Sequence, residues 1–420
     1  MCPAAAAPPE PASARGSGSL PVVLLLLVGA TLAWLHVNRA LLAEVRASAA
    51  TVRASSAREA AEAGLGWTLA HLHTPAPTGA ACTPESAASA AFIDQVLPVN
   101  TAEAGRYRRV GGGQPACVLH PAGWSCACPA SGVGAPAAPA ASDAAAPAFR
   151  IRFEAGPAAP LLWLHSEGCS EAALPCQGGA VRNADAHRPV RVLLGLLAAL
   201  PRPPEATVNA FGDVQLIGDV QVVNDHAERA WTVITAGGLS LDTTARLVGR
   251  AGQPALTTAR QRDVSGPPDA ARWFTQPLAL SGNAYRELPH VHRLRCSPGC
   301  GGADLATAVA AGHRVLWHDG DLTLDTATSL GGPEDPVLLV TTGRLQIGSG
   351  MTLHGVLHAG GAVDWSSGSP GLLRGALSSA GTVRLAGPLR LVRDEAIVAR
   401  LAHALGTWAP APGSWHDLGD

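Results

Sequence analysis

The sequence contains no lysine, only two methionines and two tyrosines, and few aromatic residues overall (4%). All 30 basic residues are therefore arginines, which we attribute to genome base composition rather than to function. Charged residues amount to 15% and the net charge is -2, so composition gives no reason to expect nucleic acid or anionic lipid as a partner. Glycine (47) and proline (34) are abundant, which favours a turn-rich β architecture over a helical bundle.

Signatures of catalysis are also missing from the sequence. It contains no nucleophile elbow, phosphate-binding loop or paired-carboxylate motif. Ser378 and Ser379 lie near strand-like segments, but nothing in the sequence marks a base for them. We therefore expect neither an enzyme nor a bound cofactor.

Nine cysteines are present, and Cys2 stands apart from the others, which all follow an apolar segment. This even number beyond the segment indicates disulfides formed in an oxidising compartment. The eight candidates are Cys82, Cys117, Cys126, Cys128, Cys169, Cys176, Cys296 and Cys300. Short loops are expected from Cys296–Cys300 and from Cys169–Cys176. Cys126 and Cys128 are too close for an easy mutual disulfide, so each should pair elsewhere, for example with Cys82 or Cys117.

The N-terminal part of the chain predicts one long helix. Residues 1–19 are rich in small residues and proline and are expected to be disordered. The almost wholly apolar run from Leu20 to Val37 is just long enough to span the hydrocarbon core of a bilayer. Helical spacing continues to Leu72, and Pro75 should stop it. Such a helix would be about 80 Å long, half in lipid and half in the aqueous phase.

The rest of the chain predicts a loop-rich region and then strands. Residues 74–148 are rich in Ala, Pro, Gly and Cys, which indicates disulfide-tied loops and a linker from Gly132 to Ala148. Strands should begin at Phe149, whereas residues 191–200 fit either a strand or a helix. The predicted fold class is α+β. We expect a leader at residues 1–16 and a helix at residues 17–73, with its membrane segment at about 20–37. The loop-rich region should occupy residues 74–148, and a β-rich domain should occupy residues 149–420.

A short pattern recurs irregularly in the last half of the chain: a glycine followed by two apolar residues in alternation. The glycine permits a turn with positive φ, and the alternation is typical of a short, half-buried strand. We therefore expect stacked short strands, in an irregular arrangement resembling a small β-helix. The segments begin at Gly212, Gly218, Gly237, Gly320, Gly343 and Gly381.

Residues 15–72 resemble the N-terminal region of the PilX-type minor pilins of type IV pili. The matching features are Arg15-Gly16, the apolar run, the charged helix after it, and Ala61-Glu-Ala-Gly-Leu65. The C-terminal part is similar to long members of that family in several short segments. These are His318-Asp-Gly-Asp-Leu322, the Gly/apolar strands from Pro336 to Trp365, Gly375-Ala-Leu, and Pro412-Gly-Ser-Trp415.

The resemblance implies a low-copy structural subunit that helps to initiate pilus assembly or sits at the pilus tip. Its implied partners are other pilin and minor pilin subunits, a prepilin peptidase and the bacterial inner membrane. The domain beyond the helix would lie in the periplasm and, after assembly, in the pilus at the cell surface.

The resemblance also implies processing by the peptidase, which cuts after a glycine and methylates the new N-terminus. The cut would fall between Gly16 and Ser17, or alternatively after Gly18, because the sequence carries one extra residue here. The fifth mature position, acidic in a typical pilin, is then Pro21. In lipid that carboxylate would neutralise a neighbour's N-terminal amine. Its absence favours a place at the end of a filament over one in the middle.

Four alternatives remain open from the sequence. The apolar run could be a signal peptide cleaved at Ala47-Ser48-Ala49, or a plain single-span anchor. A signal core is usually shorter than this run, and the helix beyond the membrane favours the pilin interpretation over both. The chain could also be a minor pseudopilin of a type II secretion system. A membrane-anchored β-helical protein that binds or degrades carbohydrate is the fourth alternative.

Two groups of residues resemble metal-binding sites. His290 and His292 precede Cys296 and Cys300 at a spacing that could hold zinc, although a short disulfide loop is the favoured interpretation. The acidic group Asp319, Asp321 and Asp325 hints at calcium, but no glutamate closes an EF-type loop, which favours turn aspartates. We therefore expect no metal.

Three tryptophans near the C-terminus, Trp365, Trp408 and Trp415, are expected to be exposed. Exposed tryptophan can bind sugar, but it also fills edges and interfaces. The strands around them show mostly Gln, Thr and Ser, without the clustered charges that an enzyme acting on polysaccharide would need.

Overall fold

The structure is a computed structural model. It describes residues 19–85, 88, 90–99, 108–111, 113–128, 146–171, 186–226, 231–251, 253–297 and 299–417. Gly16, Ser17, Gly18, Cys176 and most of the predicted linker lie outside the described residues.

The helices are few and, apart from the first, short. They are α1 Ser19–Leu72, α2 Phe92–Val96, α3 Ala270–Thr275, α4 Gly282–Tyr285, α5 Gly302–Ala310 and α6 Glu395–His403, with a 3-10 turn at Ala255–Thr258.

The strands form two systems, one antiparallel and one parallel. The antiparallel strands are β1 Ala116–His120, β2 Gly123–Ala127, β3 Ala148–Ala155, β4 Leu162–Cys169, β5 His187–Ala198, β24 Gly406–Pro410 and β25 His416–Asp417. The parallel strands are β6 Val208–Ala210, β7 Val214–Ile217, β8 Val220–Val223, β9 Val233–Thr235, β10 Leu239–Leu241, β11 Arg246–Val248, β12 Ala259–Arg260, β13 Val291–Arg293, β14 Val315–His318, β15 Leu322–Leu324, β16 Thr328–Leu330, β17 Val337–Thr341, β18 Leu345–Ile347, β19 Met351–Ala359, β20 Val363–Ser366, β21 Gly371–Ser379, β22 Val383–Ala386 and β23 Leu389–Val392.

The antiparallel sheet runs in the order β2-β1-β3-β4-β5-β24 and packs against the C-terminal part of α1. Leu65, Phe149 and Leu164 are fully buried in the cluster that helix and sheet share. The hairpin of β1 and β2 lies within the region expected to be loops, and residues 191–198 belong to a strand rather than a helix. Alternation of buried residues along β5 decides the ambiguity, since one face of that strand packs inward.

The parallel strands are an insertion into this sheet. β5 ends at Ala198 and β24 begins at Gly406, yet these two residues pair directly. The chain between them, residues 199–405, therefore leaves and re-enters the sheet at one point, where the N–H of Ala199 donates to the Leu405 carbonyl at 2.8 Å. The single β-rich unit expected over residues 149–420 is thus divided between two sheet systems.

Within the insertion, parallel strands stack in two sheets that share one core. A six-stranded sheet runs β10-β7-β22-β20-β18-β15, and a twelve-stranded sheet contains β11-β8-β23-β21-β19-β17-β14-β13. Inward side chains of both, such as Leu216, Leu339 and Trp365, belong to one buried cluster. Leu305 of α5 closes one end of that cluster.

The order of strands along the stack differs from their order along the chain. The chain enters in the middle with β6, β7 and β8, extends to one end with β10 and β11, and then crosses to the other end at β13. It builds back to the middle, where β22 and β23 pair with β7 and β8. This closure places strands from the beginning and the end of the insertion side by side, which agrees with a shared entry and exit point.

Glycines of the recurring pattern lie one above another at a corner of the stack. A positive φ was expected to explain them, and Gly320 has it (98°). At Gly343, however, the reason is proximity, because an added Cβ would lie 2.6 Å from the carbonyl carbon of Gly320. The same closeness to a neighbouring turn recurs along the corner, at Gly361, Gly381, Gly212 and Gly237.

Between β12 and β13 the chain returns along the outside of the twelve-stranded sheet. Phe274 of α3 stacks on His358 with ring centroids 4.8 Å apart and interplanar angle 6°. Nε2 of His358 lies 2.7 Å from the Phe274 carbonyl. Burial lowers the pKa of His358 to about 4, so the ring is neutral near pH 7 and packs as part of the core.

Candidate functional site

Helix α1 is continuous for 54 residues, and its first part stands away from the rest of the molecule. Leu25 is 71% exposed and Trp34 is 67% exposed. By length and composition this segment is able to cross a membrane, although a signal sequence near an N-terminus would satisfy the same criteria. The large apolar side chains have no partner among the described residues, so lipid or another protein must cover them.

The last part of α1 is fixed to the antiparallel sheet by unusually close contact. A Cβ on Gly168 of β4 would lie 2.0 Å from the Ala57 carbonyl oxygen and 2.5 Å from the Ala61 nitrogen. On the helix, a Cβ at Gly64 would meet the Ser166 hydroxyl oxygen at 2.3 Å. At Gly168 the strand and helix backbones therefore touch with no side chain between them, and at Gly64 the helix packs directly on the Ser166 side chain. These contacts fix the direction in which α1 leaves the sheet.

Beyond the apolar run of residues 20–37, one face of α1 carries exposed apolar side chains. Leu41, Val45 and Val52 recur at spacings of four and seven residues and are 54%, 65% and 66% exposed. At 3.6 residues per turn they lie roughly opposite the side that carries Ala57 and Leu65 to the sheet. The apolar strip, as we call these three residues, therefore points away from the molecule's own sheet.

Arg58 and Glu62, one turn apart on this helix, form an ion pair. Nε of Arg58 lies 3.0 Å from Glu62, and Nη1 of Arg58 is 3.8 Å from Asp417 of β25. Both pairs are exposed, so solvent screens them and they contribute little to stability.

The structure contains disulfides Cys82–Cys128 and Cys117–Cys126 in the region before β3, and Cys296–Cys300 after β13. Cys126 and Cys128 thus pair with different partners. Cys169 is also in a disulfide, and its expected partner Cys176 lies outside the described residues.

Removing Cys82–Cys128 should destabilise the protein more than removing Cys296–Cys300, because the entropy that a disulfide removes from the unfolded chain grows with the length of the loop it closes. Cys82–Cys128 spans 46 residues and Cys296–Cys300 spans 4. We expect replacement of both cysteines of Cys82–Cys128 by serine to lower the free energy of unfolding by about 4 kcal/mol. The same replacement at Cys296–Cys300 should lower it by about 2 kcal/mol. Urea unfolding of the oxidised chain measures both. Equal losses, or a larger loss at Cys296–Cys300, would contradict the entropic explanation.

The residues considered for a zinc site are not arranged as zinc ligands. Cys296 and Cys300 are joined with S–S 2.04 Å, so neither offers a thiolate. The two histidines also have different neighbours: His290 contacts Thr407, whereas His292 stacks on His313 at 3.8 Å. Among the described residues, no group of three or more His, Cys, Asp or Glu side chains is placed to hold a metal ion.

Two of the three aspartates considered for calcium, Asp319 and Asp321, have structural partners. Asp319 accepts a hydrogen bond from Nε1 of Trp317 at 2.8 Å, which together with Arg286 and Arg293 lowers the pKa of its carboxyl. Asp321 accepts the N–H of Arg344 in the next turn of the stack at 2.7 Å. Asp213 does the same for Gly238 at 2.7 Å. These carboxylates hold successive turns together.

The serines and tryptophans near the C-terminus are mostly internal. The hydroxyl of Ser379 donates to the Gly361 carbonyl at 2.8 Å, at the corner of the stack. This hydrogen bond joins neighbouring turns and does not resemble the environment of a catalytic nucleophile. The expectation of exposed tryptophans is wrong for Trp365 (0%) and Trp408 (2%), which fill the two cores. Only Trp415 of the three is open to solvent, at 49%.

Sequence reasoning missed His73, which caps an edge strand. Its Nε2 accepts the N–H of Trp408 in β24 at 3.1 Å, and burial lowers the pKa of the ring. The two residues are 335 positions apart, so no local pattern could have related them. The close approach of Gly64 to Ser166 and of Gly168 to Ala57 and Ala61 could likewise not be inferred from the sequence.

No protein-family model matches this chain, and no curated protein matches it. Among solved structures it is similar to the crystal structure of the competence-associated pilin ComZ from Thermus thermophilus. That similarity covers 87% of this chain and 96% of that chain, with 11% sequence identity and a TM-score of 0.23. Values this low support no argument about function, which must come from the geometry of the molecule.

Proposed function

We propose that this chain is a minor pilin, a low-copy structural subunit that initiates type IV pilus assembly or sits at the pilus tip. The observation that carries the proposal is the uninterrupted helix α1, exposed and apolar at its start and docked on an antiparallel sheet at its end. A bilayer core requires only about 20 helical residues. The remaining exposed turns suit a helix that packs beside other helices in a filament.

Two further features support a position at the end of a filament. Pro21 stands where a repeating subunit would carry the carboxylate that neutralises a neighbour's N-terminus. The insertion of residues 199–405 is large and lies beyond the docked end of α1. We interpret its stacked parallel strands as a short β-helix-like module displayed outside the inner membrane, with a structural rather than an enzymatic role.

Processing tests the proposal directly. Co-expression with a prepilin peptidase should yield a mature chain that starts at Ser17 or, after the alternative cut, at Ser19, with a methylated N-terminus. N-terminal sequencing and mass spectrometry identify the product. Gly16→Leu and Gly18→Leu serve as matched variants, because only the one at the cleavage position should block processing. An intact Met1, or a start after Ala49, would refute the pilin interpretation.

A further inference from the structure

A cleft of about 460 Å³ separates the helix–sheet unit from the inserted stack. One wall is the chain that follows α1, from His73 to Pro77, together with Arg108. The other wall belongs to the insertion, including His290, Arg314 and Arg400. A cavity of this size accommodates a small organic molecule.

Three arginines line the cleft with their side chains largely buried, whereas their carboxylate partners lie at its rim. Side-chain exposure is 8%, 24% and 11% for the arginines and 46%, 69% and 80% for the carboxylates. Solvent screens a rim carboxylate more than a buried guanidinium, so the interior is more cationic than the equal count of charges suggests. The pairs are Arg108–Asp94, Arg314–Asp335 and Arg400–Glu334.

The cleft also contains polar atoms without a partner. Nδ1 of His290 lies 2.6 Å from the Thr407 hydroxyl, but its buried Nε2 has no hydrogen-bond partner among the described residues. The same is true of Nε of Arg400. An unsatisfied buried nitrogen costs stability, and a bound ligand would remove that cost.

Burial is the largest influence on the two imidazoles that line the cleft. Burial, followed by His73, lowers the pKa of His290 to about 3. Burial, followed by His292 and Arg314, lowers the pKa of His313 to about 4. Both rings are therefore neutral near pH 7, so they contribute hydrogen-bonding nitrogens to the cleft rather than charge.

We infer that this cleft binds a small organic anion that has an apolar body and ends in a carboxylate. The apolar walls, which include Leu72, Val99, Val291 and Leu405, would hold the body. Nε of Arg400 carries a hydrogen, and so does Nε2 of His290 in the tautomer whose Nδ1 accepts from the Thr407 hydroxyl. Both nitrogens are covered in this structure, so the proposal requires a small side-chain movement that brings the carboxylate oxygens within hydrogen-bond distance of them. Two unpartnered donors suit a planar carboxylate better than a phosphate dianion, which has more oxygens to satisfy. The inference does not depend on the proposed function.

Hexanoate is the probe, with hexanamide as its neutral counterpart. Isothermal titration of the full chain in nanodiscs should show hexanoate binding at least tenfold more tightly than hexanamide. Arg400→Gln should weaken hexanoate binding about tenfold. The matched control is Arg384→Gln, because Arg384 pairs with Asp364 at 3.3 Å on an exposed strand of the same insertion and should leave binding unchanged.

Two substitutions of His290 guard against a folding artefact. Asparagine places a nitrogen near the Nδ1 position and preserves the contact with Thr407, whereas glutamine reaches the Nε2 position. His290→Asn should therefore lose binding while His290→Gln retains part of it, with similar unfolding midpoints. Equal affinity for hexanoate and hexanamide, an Arg400→Gln affinity equal to the control, or tighter binding of inorganic phosphate than hexanoate would each overturn the assignment.

A carboxylate could come from a free acid or from the C-terminus of a protein chain. N-acetyl-leucine, which imitates a chain end, distinguishes these sources. Tighter binding of N-acetyl-leucine than of hexanoate would assign the cleft to a chain terminus, and the reverse order would assign it to a free acid. Either result supports a carboxylate site, whereas binding of neither molecule overturns it.

Discussion

Replacing Gly168 by alanine should lower the free energy of unfolding of the helix–sheet unit by about 2–4 kcal/mol. The new Cβ would lie 2.0 Å from the Ala57 carbonyl oxygen and 2.5 Å from the Ala61 nitrogen. Both are backbone atoms of α1, so no flexible side chain can move to make room. Helix and sheet must separate, which weakens contacts of buried residues such as Leu65 and Phe149.

Urea unfolding of the full chain, followed by tryptophan fluorescence, measures this loss. Gly195→Ala is the matched control, because Gly195 lies in the same sheet and its added Cβ would meet only Leu161 Cδ2, at 3.7 Å. The control should be neutral or slightly stabilising, since alanine restricts the unfolded chain. Equal effects of the two substitutions would show that α1 does not dock as closely as described.

The long helix could be predicted because its determinants are local. An apolar run, a following segment without proline and Pro75 at its end specify α1 to within a few residues of its observed end at Leu72. The recurring Gly/apolar segments predicted strands for the same reason, and all six begin strands in the structure. Such patterns are contained within a few residues and require no knowledge of the fold.

The arrangement of these elements could not be predicted, because it depends on pairings between distant residues. Ala198 and Gly406 pair across the whole insertion, and β7 lies between β10 and β22 although β22 follows it much later in the chain. Alternation along a strand says which face is buried, not which strand lies beside it. The division of residues 149–420 between two sheet systems follows from those pairings alone.

The candidate site shows the same limit. Cys296 and Cys300 are near neighbours, so their disulfide could be expected from spacing. The burial of Trp365 and Trp408 could not, because it depends on distant parts of the chain: Trp365 faces the core of the stack, and Trp408 faces the core shared by α1 and the antiparallel sheet. The cleft between the two units is lined by residues as distant in the chain as His73 and Arg400, so no local sequence motif predicts it.

Val45→Asp should remove most surface pili when it is the only copy of this gene in a cell that makes type IV pili. Val45 belongs to the apolar strip, which is exposed on α1 opposite the docked face. If the strip packs against helices of neighbouring subunits, an unpaired carboxylate there would be buried at a cost of several kcal/mol. The side chain is 65% exposed in the isolated chain, so the free energy of unfolding should change by less than about 0.5 kcal/mol.

Electron microscopy counts the surface pili, and blotting of membrane fractions detects the major pilin. The deletion strain is the reference, and it should lose pili but keep the major pilin in the membrane. Ala50→Asp is the control, since Ala50 is exposed on the same segment of α1 but on the side that faces the sheet. It introduces the same charge at a similar depth and should preserve pili. Normal pili in Val45→Asp cells would refute packing through the strip. Normal pili in the deletion strain would refute the minor-pilin proposal, and a secretion defect there would indicate a pseudopilin instead.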